Sequence, residues 1–400
     1  MAVGRSDGLS QTTSGASGAD FIGNSPVNMQ KIAIDLTWVR HGQVGGTESS
    51  ILNLLSGLMK VRCAEVEFYL ITSRDNAQLF QSFGSTNHFH VLVADTCCVD
   101  QRRRVFWQNT KLCHLLRQNG IDQCLEPTYN MPFTKVGNIR FYTVIHDLQS
   151  IHYPEYFSAA RVLWMKCSWR NAVKKSYRVI AISDYVRDDI IAEYHADPTK
   201  IKRIYDAVDI DVNACANVSM LQKYGVKHKQ FYYTVSSLLP HKNLSVLIYA
   251  LKRLKDVNSS GFLPLLVSGV GGRKEEELHA LVKKCDLDGM VRLTGFVDND
   301  VRNLLYRECK VFLFPSIFEG FGMPPVEAMA FGTPVVTTEE TSIPEVTEHL
   351  CETVHNATDP EEWKQKILSA KVIPRSEEVI RKYTPACIAQ EYLDMWIESC

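Results

Sequence analysis

The stretch 310–338, KVFLFPSIFEGFGMPPVEAMAFGTPVVTT, decides the architecture. It opens on a short apolar run, KVFLFP (310–315), of the kind that forms a strand buried on both faces. A loop follows, then a helix expected to start near Pro324 and to stop at Gly332. Pro324 and Pro325 fit the first helical positions, where a missing N–H costs little. PVVTT (334–338) is the next strand. Strand, helix and strand in so short a span imply a parallel crossover.

Outward from there the same alternation fills the chain. KIAIDLTWV (31–39) reads as a strand, and the run 47–60 as a helix with Ile51, Leu54, Leu55 and Leu58 at spacings of three and four. Strands are expected at 67–72, 90–95, 141–147 and 178–183, and helices at 105–118 and 184–194, the latter capped by Ser183. The apolar pattern lapses over 206–230. A second series then runs through strands at 231–237, 262–269 and 291–296 and helices at 244–255, 274–284 and 300–308. The expected fold is α/β: two doubly wound, Rossmann-like domains, 29–212 and 213–400, the last helix packing back on the first domain. Ligands of such sheets sit outside the carboxyl ends of the strands, here in the interdomain cleft. Residues 1–28, rich in Gly, Ser, Thr and Ala, read as a disordered extension.

Composition narrows the class. The 400 residues are 45% hydrophobic and 22% charged, which excludes a disordered, collagen-like or coiled-coil chain. A net charge of −1 gives no basic surplus pointing to nucleic acid as the main partner. No run reaches the roughly 18 apolar residues that would span a bilayer. The 12 cysteines form no C-x-x-C pair and read as free thiols of a cytoplasmic protein, with adjacent Cys97 and Cys98 as small buried hydrophobes.

Several residues carry chemistry. Gly320 and Gly322 lack Cβ atoms, so a ligand can approach the backbone, and a helix start favours a phosphate. Glu319 on the loop and Glu327 one turn into the helix suit hydroxyl groups, one set on a sugar and one on a ribose. Gly45 and Gly46 stand between the first strand and a helix, as an anion-binding loop or as an ordinary tight turn. His146 ends a strand at the cleft edge, with Asp147 either orienting it or capping a turn. Lys242, after strand 231–237, can supply a point charge to a diphosphate. Asp298-Asn299-Asp300 matches a manganese-binding D-x-D but precedes a helix, where Asp is a normal cap.

Glu319 and Glu327 form an E-x7-E pair within EGFGMPPVEAMAFGTPVV. This resembles the retaining glycosyltransferases of the GT-B fold, family 4, from about residue 31 to the C-terminus. GGTE (45–48), VIHDL (144–148), VIAIS (179–183), HKN (241–243) and GFV (295–297) belong to the same likeness, and HDLQSIHYPEYFS (146–158) is most like mannosyltransferases of bacterial surface polysaccharide. The resemblance implies a nucleotide-sugar donor, GDP-mannose first, and a glycan or lipid-linked glycan acceptor, with peripheral contact to the inner face of a membrane. It implies no metal and no other cofactor. His146, Glu319 and Lys242 become the expected catalytic residues. Gly46, Ser237, His241, Val297, Gly320, Phe321, Gly322, Met323 and Glu327 become the expected donor-binding set. Ser237 and His241 stand where many members carry arginine, so either His241 is partly protonated or another basic residue substitutes. A phosphorylase or disaccharide synthase on the same fold, and a nucleotide-sugar-binding protein without turnover, are the alternatives. No G-x-G-x-x-G follows the first strand, which weakens an NAD-dependent oxidoreductase.

If Asp298 and Asp300 are helix-start residues, chelation with EDTA should leave turnover within about a factor of two. Complete loss restored by manganese would reverse that reading.

Overall fold

The computed structural model describes residues 29–42, 45–61, 65–86, 88–257, 262–269, 275–372 and 377–398. The extension 1–28 lies outside the described residues.

Two parallel sheets stand side by side. The first holds β1 (Gln30–Asp35), β2 (Val66–Ser73), β3 (Phe89–Ala94), β4 (Gln123–Glu126), β5 (Arg140–Ile145), β6 (Arg178–Ala181) and β7 (Ile201–Arg203), in the order 3-2-1-4-5-6-7. The second holds β8 (Tyr232–Val235), β9 (Leu265–Ser268), β10 (Val291–Gly295), β11 (Val311–Phe314), β12 (Val335–Thr338) and β13 (Glu352–Val354), in the order 10-9-8-11-12-13. Each order reverses beside its first strand, which opens a crevice at the carboxyl edge between β1 and β4 and between β8 and β11. Both are doubly wound Rossmann-like sheets, as the alternation implies. Central strands such as VFLF (311–314) and VVTT (335–338) are buried at every position, which explains their unbroken apolar reading.

The chain departs from its sequence pattern where contacts are long-range. Short strands β4, β7 and β13 have no periodicity to announce them. The helix expected at 105–118 starts at Gln101, because the Asp100 carboxylate accepts the N–H groups of Arg102 and Arg103, and its middle turn 108–112 is π-helical. Cys97 and Cys98 are not a plain apolar pair: both thiols donate to Asp75 (2.9 and 3.2 Å). All ten described cysteines are unbridged.

The last helix, Pro385–Glu398, lies against the first, Gly46–Lys60. Its Trp396 is fully buried, edge-on to Tyr142 of β5 and tilted on Phe68 of β2. Gly57 makes the crossing: a Cβ there would stand 2.0 Å from the Pro385 carbonyl oxygen and 2.9 Å from the Ala389 Cβ.

Several contacts join the carboxyl edges of the two sheets, among them the Phe318 ring against His152, Tyr153 and Tyr185. Ser183, which caps helix Asp184–Tyr194 through Val186 N–H, donates its hydroxyl to the Gly320 carbonyl (2.7 Å). The Glu345 carboxylate accepts the N–H groups of Asp184 (2.7 Å) and Tyr185 (3.1 Å), so a side chain of the second lobe sits on a helix N-terminus of the first. Phe321 is buried edge-on to Tyr383 (5.3 Å) and tilted on Tyr205 (6.0 Å).

Gly57→Ala should destabilise the protein by roughly 1–3 kcal/mol in urea unfolding. In an open helix the same change stabilises by up to about 1 kcal/mol, so the sign tests the helix crossing.

Candidate functional site

The loop 316–322 is the centre of the cleft, and both flanks fix it. Ile317 N–H donates to the His241 carbonyl (2.8 Å), and the Thr338 hydroxyl to the Ser316 carbonyl (2.6 Å). The Ser342 hydroxyl bonds the Glu319 and Phe321 carbonyls (3.0 Å each), and Glu319 N–H donates to the Thr341 hydroxyl (3.1 Å). Gly322 then turns the chain with φ 92° and ψ 60°, a left-handed conformation that glycine tolerates, into helix Met323–Ala330. Of the first three helical residues only Met323 carries an N–H, since Pro324 and Pro325 follow. The helix start therefore offers fewer donors to an anion than an ordinary one.

Side chains complete the site. Lys242, on the turn Pro240–Lys242 after β8, donates its Nζ to Glu319 Oε1 at 2.6 Å, and both side chains are mostly buried. Asp147 lies just past the end of β5. Burial pushes its carboxyl up from the usual range, although Oδ1 accepts Gln149 N–H (2.9 Å) and the charges of Lys242 and Glu319 act on it. Glu327 points away from the pair. Its Oε2 accepts the Tyr306 hydroxyl (2.7 Å), and Arg302 Nη2 stands 3.4 Å from Oε1. Both partners come from helix Asn299–Glu308, and Glu327 holds the Arg302 guanidinium more firmly charged. At the neighbouring carboxyl edge, Gly295 has φ 68° and, among the described residues, no atom within 4 Å of a Cβ position. Gly46 likewise has no such atom, beside Gly45 at φ 78°.

Several sequence expectations change. Gly320 does not open the backbone to a ligand: a Cβ there would lie 1.8 Å from the His146 carbonyl oxygen, so the missing atom serves the contact between lobes. Phe321 is buried in the Tyr205–Tyr383 cluster and offers no face to a donor. His146 turns its ring into the first lobe, where Nε2 donates to the Pro127 carbonyl (3.0 Å) and Nδ1 stands 3.9 Å from Asp206. Asp206 is itself buried and accepts the Ser50 hydroxyl, which orders this arrangement behind the cleft. His241 cannot replace an arginine. It is 6% exposed, and burial, with Lys242 beside it, lowers its pKa to about 4, so it is neutral at physiological pH. Asp298 occupies the N-cap position of helix Asn299–Glu308 but its side chain makes no capping bond. Ser237 and Met323 are half-buried, and Val297 packs on the core beside an exposed Phe296. Lys242 and Glu319 are brought together, while Glu327 belongs to a separate cluster with Arg302 and Tyr306, two residues that sequence reasoning passed over. Their spacing of four on one amphipathic helix was the signal available.

Among the described residues, no group of three or more His, Cys, Asp or Glu side chains could hold a metal ion, and no helix is long and apolar enough to cross a membrane.

Comparison with known proteins places this geometry. Residues 220–386 match the family model "Glycosyl transferases group 1", and residues 44–212 match "Glycosyltransferase Family 4". The O-antigen chain mannosyltransferase B of Escherichia coli is 32% identical over 212 residues, which is 52% of this chain and 55% of that protein. The O-antigen chain mannosyltransferase RfbU of Salmonella typhimurium is 29% identical over 231 residues, 58% of this chain and 60% of that one. The matches thus span little more than half the length of these relatives. Among solved structures, HepE of Anabaena in complex with UDP and glucose superposes with a TM-score of 0.70 at 19% identity, over 92% of this chain and all of that one. Sucrose-phosphate synthase of Thermosynechococcus elongatus gives 0.71 at 14% identity, over 92% of this chain and 98% of that one.

The His241 burial has a measurable consequence. Its folded pKa lies below the unfolded value near 6.5, so the unfolded chain binds the extra proton. Stability should be fully present above about pH 6.5 and fall as the pH drops toward 4, and His241→Gln should lack that part of the slope in unfolding measured against pH. Two lobes, two matching glycosyltransferase models and one cleft between parallel sheets make this chain a GT-B-fold member of the glycosyltransferase families.

Proposed function

We propose that the protein transfers a hexosyl unit, with mannose the first candidate, from a nucleoside-diphosphate sugar to a glycan or lipid-linked glycan, with retention at the anomeric carbon and without a metal. The observation that carries the reading is the Lys242–Glu319 pair at the carboxyl edge of the second sheet, fixed by the loop 316–322, with its charges acting on Asp147. The mannosyltransferase relatives support the polysaccharide context.

Each partner of the pair has a task in this reaction. An arriving diphosphate competes with Glu319 for the Lys242 ammonium, and the carboxylate so released can accept sugar hydroxyls. As the acceptor hydroxyl attacks the anomeric carbon on the face the diphosphate leaves, the bond from that carbon to the phosphate oxygen breaks, negative charge grows on the departing oxygen, and the acceptor's proton passes to it. Lys242 and the helix start stabilise that charge. Glu327, held by Tyr306 and Arg302, can present its carboxylate to a ribose. His146 acts at one remove: its ring faces Pro127 and Asp206, and its carbonyl sets the distance between lobes.

Thermal stabilisation across a panel of nucleotide sugars should identify the donor, since ligand bound to the native state raises apparent stability. Charge-assisted phosphate contacts are worth roughly 1.5–3 kcal/mol each. Lys242→Ala should therefore lower kcat/KM by about ten- to a hundredfold, with more of the loss in kcat than in donor affinity. Full turnover in that variant would place the diphosphate elsewhere. Turnover of a free sugar with inorganic phosphate would instead favour a phosphorylase.

A further inference from the structure

The segment HDLQSIHYPEYFS (146–158) runs from the end of β5 to the cap of helix Ala159–Lys175. Its middle is closely tied. Tyr153 N–H donates to the Gln149 carbonyl (2.8 Å), Tyr156 N–H to the Tyr153 carbonyl (3.2 Å) and Phe157 N–H to the Pro154 carbonyl (3.1 Å). His152 Nε2 donates to both oxygens of Asp189 (2.9 and 2.8 Å), which fastens the turn to helix Asp184–Tyr194. Tyr153 and Tyr156 are thus held in one arrangement, their rings parallel within 6° and 5.2 Å apart between centroids. Parallel rings at that separation are slid sideways, so part of each face stays uncovered by the other.

These rings belong to the first lobe and reach the second. Tyr153 stands edge-on to Phe318 (5.5 Å), and Tyr156 lies over the His241 ring (6.2 Å). Phe318 and His241 each precede, by one residue, a member of the Lys242–Glu319 pair. Both tyrosines are only half-buried. Burial pushes both hydroxyls up from the usual tyrosine value, and the carboxylates of Glu155 and, for Tyr153, of Glu340 add to it. The hydroxyls therefore stay protonated and can donate. Among the described residues, neither hydroxyl and neither carboxylate is hydrogen-bonded or ion-paired. The His241 Nδ1 has no partner among them either, in a ring that is 6% exposed and neutral. A buried polar atom so placed calls for a hydroxyl or a water beside it.

We infer that Tyr153 and Tyr156 carry the saccharide ring of the acceptor, with Glu155 and Glu340 taking its hydroxyls. A pyranose has an apolar face of C–H groups and a rim of hydroxyls. Uncovered aromatic faces beside free carboxylates are its complement. An anionic ligand would instead meet the charges of Glu155 and Glu340. The position suits the transfer, since the two rings touch the immediate neighbours of the ammonium and the carboxylate assigned to the donor. A sugar on the tyrosines then stands beside the donor. The acceptor role rests on the transfer proposed above, whereas carbohydrate binding at the rings does not.

Saturation-transfer NMR on the full chain tests the inference, with the methyl α-glycosides of mannose, glucose, galactose and N-acetylglucosamine titrated with and without GDP or UDP. Wild type should bind at least one glycoside saturably. Tyr153→Ala/Tyr156→Ala should weaken that binding by about tenfold or more, as the loss of aromatic anchors does. Tyr153→Phe keeps the ring and drops one hydroxyl, so it should weaken binding by only about threefold, and Glu340→Ala by about fivefold. If the alanine variant has a lowered thermal midpoint, Tyr156→Leu takes its place, since leucine keeps apolar bulk without the flat ring, and binding should fall in the same way. Wild type that binds none of the glycosides overturns the proposal. So does an alanine or leucine variant that binds as wild type, which would leave the rings as a contact between lobes. So does competitive displacement of the glycoside by GDP or UDP, which would give the rings to the donor. Glycoside binding that follows the tyrosines, in a protein that no nucleotide sugar stabilises, would leave the carbohydrate site standing and overturn the transfer.

Discussion

The two sheets meet at a point where no side chain fits. The Gly320 Cα abuts the His146 carbonyl, and a methyl group there would overlap it outright. This contact sets how near the loop 316–322 comes to the end of β5, and hence how near Asp147 comes to the Lys242–Glu319 pair. Around it the lobes are held by directional bonds: Ser183 to the Gly320 carbonyl, and Glu345 to the first N–H groups of helix Asp184–Tyr194. A carboxylate on a helix N-terminus contributes typically 0.3–1 kcal/mol at an exposed site and more when partly buried. The cleft is therefore defined by a steric limit and a few polar bonds set beside buried ring contacts such as Phe321 on Tyr205, and the hydrophobic core runs on from one lobe into the other.

The site also shows how charge is arranged without arginine at positions 237 and 241. His241 and Ser237 leave Lys242 as the cation beside the loop, and Lys242 is already bonded to Glu319. Arg302 is paired with Glu327, whose other oxygen accepts the Tyr306 hydroxyl. Both cations thus have a resident carboxylate partner. A partly buried ion pair has surrendered part of its hydration, so exchange of one anionic partner for another costs less than stripping a hydrated ammonium would.

The sequence made the strand–loop–helix corners legible, because each has local punctuation: apolar run, glycine, proline, apolar run. The alternation 310–338 and the GGTE turn are of this kind. Other features depend on partners far along the chain. Glycine at 320 reads as an opening for a ligand until the His146 carbonyl, 174 residues earlier, is seen in that space. His241 reads as a charge until its burial is known. Helix Ala159–Lys175 was passed over because its polar and apolar positions follow the lobe it covers and not a clean stripe. Its burial comes from Trp169, fully enclosed by residues remote in sequence.

The chain crosses between lobes twice. It leaves the first after β7 and comes back in the helix Pro385–Glu398. The two crossings are joined, since Val208 N–H donates to the Tyr383 carbonyl at 2.7 Å. Two adjacent tethers constrain rotation far more than one: the second lobe can swing about a line through both but cannot twist freely about a single strand. Any opening of the cleft is thereby directed away from that double strand, with Gly320 and His146 parting together.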